Sequence, residues 1–391
     1  MKNKLLSLIL IFVLVLQITA VAYAEESVIQ EEAEQTIITA LELTKEEALE
    51  LALQNSMELE IKRLELLKAE VSYKDDIRGI KKSEDNIEYF PLRDPLTGAL
   101  IPDSAINLVL IKNGAARRGV ELALNIAKWN LAMTENKVSY NVEKAYFDLI
   151  QAEKDHQIAG ESLKLAEKQL EQGKLRYQLG MMSKQQLLGL ELGYSQTKSG
   201  FDASAMVSEL QRMSFNNTVG LTLDKAVELT DKVQSREYEE IDLDASIKKA
   251  LEENGGVRIY KENYELSKLT LQAVRARYPE NTFRYREQEA ETKKAEQSLL
   301  QIMNGVEMGV RSAYLSLKTS EKQIATFELA VKQAEEALRI TELSFQLGQN
   351  TANDVTQANI NLMNAKKSLA QQIHAFNLAL LDFEYSTGIG K

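Results

Sequence analysis

The stretch "RYQLGMMS" (Arg176 to Ser183) has a counterpart, "SFQLGQNT" (Ser344 to Thr351), which begins 168 positions later. Both stretches contain Gln-Leu-Gly, and both follow a long charged segment without proline. Glycine often ends an α-helix because it adopts the left-handed conformation at little cost. Serine and threonine are favoured caps of a following helix. The two stretches therefore predict helix-to-helix turns at Gly180 and Gly348.

These turns belong to a longer internal repeat. Shifting the chain by 168 positions aligns Val142 with Val310 and continues without a gap through Gly220. Nearer the start of each unit, "LTKEEALELALQN" (Leu43 to Asn55) matches "IDLDASIKKALEE" (Ile241 to Glu253) at an offset of 198. The 30-residue difference between the two offsets places an enlarged connector in the first unit. The chain is therefore interpreted as a duplicated unit with one enlarged loop.

The repeat and the prolines give the predicted domain organisation. We expect a signal peptide at 1–24, an acidic linker at 25–42, a first helical repeat at 43–220, a linker at 221–240 and a second helical repeat at 241–388. Proline interrupts helices because it lacks a backbone donor. We therefore place connectors at about 89–114 and about 277–283, where the four prolines lie: Pro91, Pro95, Pro102 and Pro279.

The segments between the prolines carry a seven-residue apolar repeat. In the first unit an alanine or glycine follows three positions after each of the large residues, and the second unit repeats the scheme. Such a repeat keeps one seam of a helix facing a partner and indicates a left-handed coiled coil. The predicted fold class is all-α, with long antiparallel coiled-coil hairpins in two tandem repeats. The large residues are Val142, Leu149, His156, Leu163, Leu170 and Tyr177, and the small ones Ala145, Ala152, Ala159, Ala166, Gly173 and Gly180.

The N-terminus has the three parts of a secretory signal. Lys2 and Lys4 precede an apolar run from Leu5 to Leu16, and Ala22-Tyr23-Ala24 forms a cleavage pattern. We expect cleavage after Ala24 and export to the cell envelope; an uncleaved anchor is the alternative. Loss of the two lysines changes the net charge from −11 to −13. A chain this acidic argues against nucleic acid as a partner.

The residue types argue against an enzyme and against a resident cofactor or metal. The chain has no cysteine and only two histidines, His156 and His374, which are far apart in the sequence. It contains no glycine-rich phosphate loop and no nucleophile elbow. Because the repeat places Ile324 opposite His156, we interpret His156 as a packed side chain.

Several of these segments, in this order, resemble the TolC-like outer membrane efflux protein family across almost the whole mature chain. They are "LTKEEALELALQNSMEL" (Leu43 to Leu59), "AYFDLIQAEK" (Ala145 to Lys154), "LRYQLGMMS" (Leu175 to Ser183), "LSFQLGQNTANDVTQA" (Leu343 to Ala358) and "FNLALLDFEYSTG" (Phe376 to Gly388). Met57 stands where the family usually has proline. The resemblance implies a homotrimeric helical tunnel that docks to a periplasmic membrane-fusion adaptor and to an ABC or proton-driven pump.

The resemblance also implies roles for the two turns. The family's helix tips interlock with the adaptor, which assigns docking to Leu179, Gly180, Met181, Ser183, Leu347, Gly348, Gln349 and Thr351. The family has acidic residues at its tunnel entrance, six and nine positions after the second tip glycine. Asp354 matches the first of these, and Gln357 replaces the second.

The connectors depart from the family pattern. Family members insert two β-strands in each connector. The first connector here offers one candidate strand, Ala105 to Ile111, or a short hairpin, and the second has no room for two strands. The sequence therefore predicts little or no β-barrel. The alternative function is an exported coiled-coil scaffold or binding protein of the envelope that has lost the barrel and the transport role.

Overall fold

The computed structural model describes residues 40–85, 96–98, 102–231 and 235–390. The predicted signal peptide, most of the acidic linker, Pro91 and Pro95 lie outside the described residues. The described part is almost entirely helical, as the sequence predicts. None of its helices combines the length and the apolar character needed to span a membrane.

The described elements are nine helices and two three-residue strands. The first unit contains β1 (Leu41–Leu43), α1 (Lys45–Asn55), α2 (Met57–Asp85), α3 (Pro102–Lys112), α4 (Ala115–Gln178) and α5 (Lys184–Val219). The rest of the chain contains β2 (Val227–Leu229), α6 (Leu243–Glu253), α7 (Gly255–Arg275), α8 (Phe283–Gln346) and α9 (Ala352–Ser386). The strands β1 and β2 pair in one small sheet.

The contacts divide the chain into two compact units. The small one consists of residues 1–42 and 224–228, and within its described part the Leu41 amide donates to the Ala226 carbonyl at 2.9 Å. The large one comprises 43–223 and 229–391 and contains every described helix.

The helix boundaries follow the two offsets of the sequence repeat. Helices α4 and α8 both have 64 residues, and their first residues lie 168 positions apart. Helices α1 and α6 both have 11 residues and begin 198 positions apart. At a rise of 1.5 Å per residue, α4 and α8 are each about 96 Å long.

Local capping signals fix where the shorter helices begin. The hydroxyl of Thr44 accepts from the amide of Glu47, and the Glu47 carboxylate accepts from the amide of Thr44, which completes a capping box at α1. At α6 the cap is Asp242, whose carboxylate accepts from the amide of Ala245 at 3.0 Å. These bonds satisfy amides that a helix start otherwise leaves without partners.

The candidate strand at Ala105 to Ile111 is wrong, because this segment lies within α3. Pro102 opens the helix, a position where the missing N–H of proline costs nothing. The helix ends before Gly114, which has φ of +78°. The Asn113 side chain then donates to the Leu269 carbonyl of α7 at 3.0 Å. A helix bonds its own backbone, whereas a strand here would need a partner strand to do so.

Helix α4 is the more deeply packed of the two long helices. It contacts α2, α5 and α9, whereas α8 contacts mainly α7 and α9. The heptad residues Val142, Leu149 and Leu170 are buried on α4, as are its alanines from Ala145 to Ala166. On α8 the equivalent large residues are buried in three cases: Val310, Leu317 and Leu338.

Candidate functional site: the paired helix turns

The turn after α4 is a Schellman motif. The amide of Met181 donates to the Arg176 carbonyl at 2.8 Å, and the amide of Gly180 donates to the Tyr177 carbonyl at 3.0 Å. Gly180 has φ of +72°, the left-handed conformation that favours glycine. Leu179 is the last residue before this reversal.

The turn after α8 repeats this geometry bond for bond. The amide of Gln349 donates to the Ser344 carbonyl at 2.9 Å, and the amide of Gly348 donates to the Phe345 carbonyl at 3.1 Å. Gly348 has φ of +77°. The helix-reversing role that the sequence predicts for both glycines is therefore present.

A capping box starts each returning helix. At α5 the Ser183 hydroxyl accepts from the amide of Gln186, and at α9 the Thr351 hydroxyl accepts from the amide of Asp354. The Asp354 carboxylate accepts from the hydroxyl and the amide of Thr351, both at 2.7 Å. These two hydrogen bonds hold the pKa of the Asp354 carboxyl below its usual value. Asp354 therefore stays ionised and fixed to its own helix start at neutral pH.

The two turns lie side by side. The guanidinium of Arg176 lies 5.4 Å from the centre of the Phe345 ring and donates to the Phe345 carbonyl at 3.5 Å. A second contact lies farther from the turns, where the Gln169 side chain of α4 donates to the Glu342 carboxylate of α8 at 3.0 Å. A buried apolar cluster lies beneath both turns: Leu170, Met182, Leu187, Leu190 and Ala352. The heptad pattern marks Phe345 as a seam residue, but its contact with Arg176 joins residues 169 positions apart, and no local pattern predicts it.

The tips expose apolar side chains. Leu179 is 65% exposed, Leu347 is 66% exposed and Met181 is 72% exposed. A Cβ placed on Gly180 or Gly348 would meet no atom within 4 Å. The paired turns therefore form an accessible apolar ridge with open space around both glycines.

Asp354 and Gln357, predicted at a tunnel entrance, lie along the first turns of α9. Both line a groove of about 430 Å³ between α8 and α9. The Gln357 amide donates to the Asn361 side chain at 2.9 Å. The opposite wall consists largely of alanines of α8, namely Ala330, Ala334 and Ala337.

Helices α5 and α9 approach closely just behind the turns. A Cβ on Gly189 would lie 2.9 Å from Asn353 Oδ1, and a Cβ on Gly193 would lie 2.6 Å from Thr356 Oγ1. These two glycines, four positions apart on one face of α5, were not picked out from the sequence. Their spacing is the signal that could have identified a close helix contact.

Polar contacts join α4 to α9 farther from the turns. His374 Nε2 lies 2.9 Å from Asp148 Oδ1, and Lys144 Nζ lies 2.7 Å from Asp148 Oδ2. Burial raises the pKa of the Asp148 carboxyl, but the hydrogen bonds from His374 and Lys144 outweigh burial and hold it below its usual value. Nearby, burial and a hydrogen bond to Asp382 raise the pKa of Tyr140 to about 12.

Within the described ranges, no group of three or more His, Cys, Asp or Glu side chains is arranged to hold a metal ion. His156 packs against Phe201 with ring centres 4.5 Å apart, and its Nδ1 lies 2.9 Å from Ser204 Oγ. The interpretation of His156 as a packed side chain is therefore confirmed.

The fold matches solved structures of outer membrane channels, although no family model and no curated protein matches the sequence. The outer membrane protein VceC of Vibrio cholerae matches with a TM-score of 0.68 and 16% identity, over 88% of this chain and 96% of VceC. The CmeC outer membrane channel of Campylobacter jejuni matches with a TM-score of 0.67 and 11% identity, over 88% and 86% of the two chains. The MtrE outer membrane channel of Neisseria gonorrhoeae matches with a TM-score of 0.63 and 13% identity, over 88% and 89%. The chain therefore has the helical fold of the TolC-like outer membrane efflux channels, and the resemblance drawn from the sequence is confirmed at the level of the fold.

Proposed function

We propose that this protein is a subunit of an export duct in the cell envelope. Three copies form a helical tunnel, and the tunnel docks to a periplasmic membrane-fusion adaptor served by an ABC or proton-driven pump. The observation that carries the proposal is the pair of adjacent, identically built turns in a fold shared with outer membrane channels. The protein has no catalytic role in this proposal, and the predicted signal peptide exports it.

The two turns have properties that suit a protein partner. Their exposed leucines, Leu179 and Leu347, offer apolar area at equivalent positions, and an adaptor with repeated hairpins can contact both in the same way. The space above Gly180 and Gly348 lets a partner backbone approach. The contact between Arg176 and Phe345 holds the two turns together as one docking surface.

Assembly from several copies is supported by apolar residues that the single chain leaves exposed. Met308, Leu315 and Leu329 lie on α8 at seven-residue multiples, and all three are exposed. A stripe at this spacing is the pattern of a coiled-coil seam that lacks its partner helix. Neighbouring protomers would cover it.

The test compares adaptor capture by the wild-type protein with capture by Gly180→Trp and Gly348→Trp. Alanine variants at the same positions are the matched controls, because any side chain incurs the cost of the left-handed backbone, about 1 kcal/mol. The tryptophan side chain additionally occupies the space above the turn. We expect the alanine variants to retain capture and the tryptophan variants to lose it, with all four folded by circular dichroism.

Equal capture by the folded tryptophan and wild-type proteins would contradict docking at the turns. Failure of the wild-type protein to capture any adaptor from its own organism would instead support the scaffold alternative.

A further inference from the structure

The connection between α7 and α8 carries a charge opposite to that of the whole chain. Residues 275–286, which we call the basic turn, contain four arginines and one glutamate and have a formal charge of +3. The whole chain has a formal net charge of −11. All four arginines of the basic turn are exposed: Arg275, Arg277, Arg284 and Arg286.

Part of this positive charge has no carboxylate beside it. Arg275 forms an ion pair with Glu280 at 2.9 Å, so these two charges cancel. Within the described ranges, neither Arg277 nor Arg286 forms an ion pair with a carboxylate. The acidic residues of α8 begin only at Glu287, after the basic turn. The basic turn therefore presents uncompensated positive charge to solvent.

An aromatic side chain protrudes among these arginines. Phe283, the first residue of α8, is 93% exposed. Tyr278 and Tyr285 are half-buried on either side of it in the sequence. Proteins that bind a bilayer from one side use this combination, because aromatic rings enter the headgroup region while cations attract anionic lipids.

The basic turn holds this arrangement by its own hydrogen bonds. The Thr282 hydroxyl donates to the Pro279 carbonyl at 2.7 Å, and the Thr282 amide donates to the same carbonyl at 3.0 Å. The Thr282 hydroxyl also accepts from the amide of Tyr285, which caps α8. Val274, just before the turn, is buried. Phe283 is therefore exposed by an ordered helix start, not by a loose loop.

We propose that the basic turn is a docking surface for an anionic phospholipid bilayer. Phe283 enters the headgroup region, and Arg277 and Arg286 bind lipid phosphates. A guanidinium suits this role because it binds phosphate through two parallel hydrogen bonds. A protruding ring at a helix end fits a soft bilayer, whereas a protein partner would need a pocket shaped to that ring.

This docking goes beyond the proposed duct function and does not depend on the adaptor. The basic turn and the turn at Gly348 lie at opposite ends of α8, which has 64 residues and is about 96 Å long. A bilayer at one end therefore leaves the other end free for a protein partner.

The test measures how the purified, exported protein cosediments with lipid vesicles. One set of vesicles contains phosphatidylcholine alone, and the other adds phosphatidylglycerol, which is anionic. The variants are Arg277→Gln/Arg286→Gln and Phe283→Ala. Circular dichroism checks that both fold. Every variant has the same N-terminus, so any lipid binding by the predicted signal peptide is constant.

Two matched controls lie farther along α8. Arg311→Gln/Arg339→Gln removes the same number of positive charges from exposed side chains outside the basic turn. Leu300→Ala removes an apolar side chain that is 47% exposed. Both controls should bind vesicles as the wild-type protein does.

We expect the wild-type protein to bind vesicles with phosphatidylglycerol far better than vesicles of phosphatidylcholine alone. An arginine near an anionic bilayer contributes about fivefold to binding, so the double arginine variant should bind about 25-fold more weakly. Phe283→Ala should bind about tenfold more weakly, because its ring no longer leaves water. The proposal is overturned if the wild-type protein binds neither set or both sets equally, or if the basic-turn variants bind as well as the controls.

A second measurement separates a bilayer from a soluble anion. The chain has one tryptophan, Trp129, so Phe283→Trp adds a single reporter whose signal is read against the wild-type protein. On anionic vesicles its emission should shift to the blue and be quenched by brominated lipid, whereas Leu300→Trp should show neither effect. If the added tryptophan stays in water while the vesicles bind, the arginines recognise phosphate alone and bilayer docking is overturned. Adaptor capture is scored separately at the other end of α8, so failure here leaves the proposed function intact.

Discussion

Because α5 and α9 approach closely, we predict that replacing one glycine of α5 by alanine lowers stability, which is opposite to the usual effect of this change in a helix. Replacing a helical glycine by alanine normally stabilises a protein by about 1 kcal/mol, because alanine has the better helix propensity. We expect Gly193→Ala to destabilise instead, since its methyl group would lie 2.6 Å from Oγ1 and 2.7 Å from Cγ2 of Thr356.

The magnitude follows from these distances. Non-bonded atoms rest at about 3.5 Å, so the two helices would have to separate locally by about 0.9 Å. Overpacking of this kind costs about 1–3 kcal/mol. After the gain in propensity is subtracted, the free energy of unfolding should fall by up to about 2 kcal/mol.

Helix α5 offers a matched control seven residues farther on. A Cβ on Gly200 would meet no atom within 4 Å, so Gly200→Ala should stabilise the chain by about 1 kcal/mol. Urea unfolding followed by circular dichroism measures both variants. Adding Thr356→Ala to Gly193→Ala removes the two clashing atoms and should recover part of the loss. Equal stabilisation by Gly193→Ala and Gly200→Ala would refute the close contact between α5 and α9.

Three further predictions concern the seam, the turn and the polar contacts. Ala159→Leu and Ala166→Leu should each lower the free energy of unfolding by about 1–3 kcal/mol, because both alanines are buried; unchanged thermal stability in both would show that the seam is misassigned. Ser183→Ala should lower the free energy of unfolding by about 1 kcal/mol, because it removes the cap of α5, whereas Ser183→Thr keeps a capping hydroxyl and should leave it unchanged. Asp148→Asn should lower the free energy of unfolding by about 1–3 kcal/mol at pH 7, because it weakens the hydrogen bonds that the carboxylate accepts from Lys144 and His374. Since the pKa of Asp148 is lower in the folded chain than in the unfolded one, this loss should shrink as the pH falls below about 4; a constant difference from pH 7 to pH 3 would contradict the assignment.

The sequence by itself determined the features that depend on neighbouring residues. The turns at Gly180 and Gly348, and the helix starts at Thr44, Ser183 and Thr351, are local because a cap or a left-handed glycine acts within about one helical turn. The duplication was also visible, because matching residues preserve the same offset over many helical turns.

The tertiary structure decided the features that depend on which surfaces meet. The segment from Ala105 to Ile111 is apolar enough for a strand or a helix. No strand within the described ranges pairs with it, and the helix bonds its own backbone. The proximity of Arg176 to Phe345 joins residues far apart in the chain. Local sequence cannot show this contact.

A comparison of two equivalent grooves also shows that packing, rather than local sequence, decides which surfaces meet. Their walls are related by a single offset, yet the groove between α4 and α5 is filled and the groove between α8 and α9 is open. The first repeat has α9 of the second repeat packed beside it, whereas no described helix occupies the equivalent place beside α8 and α9. A repeated sequence specifies both surfaces alike, and only the packing of the chain decides which of them is covered.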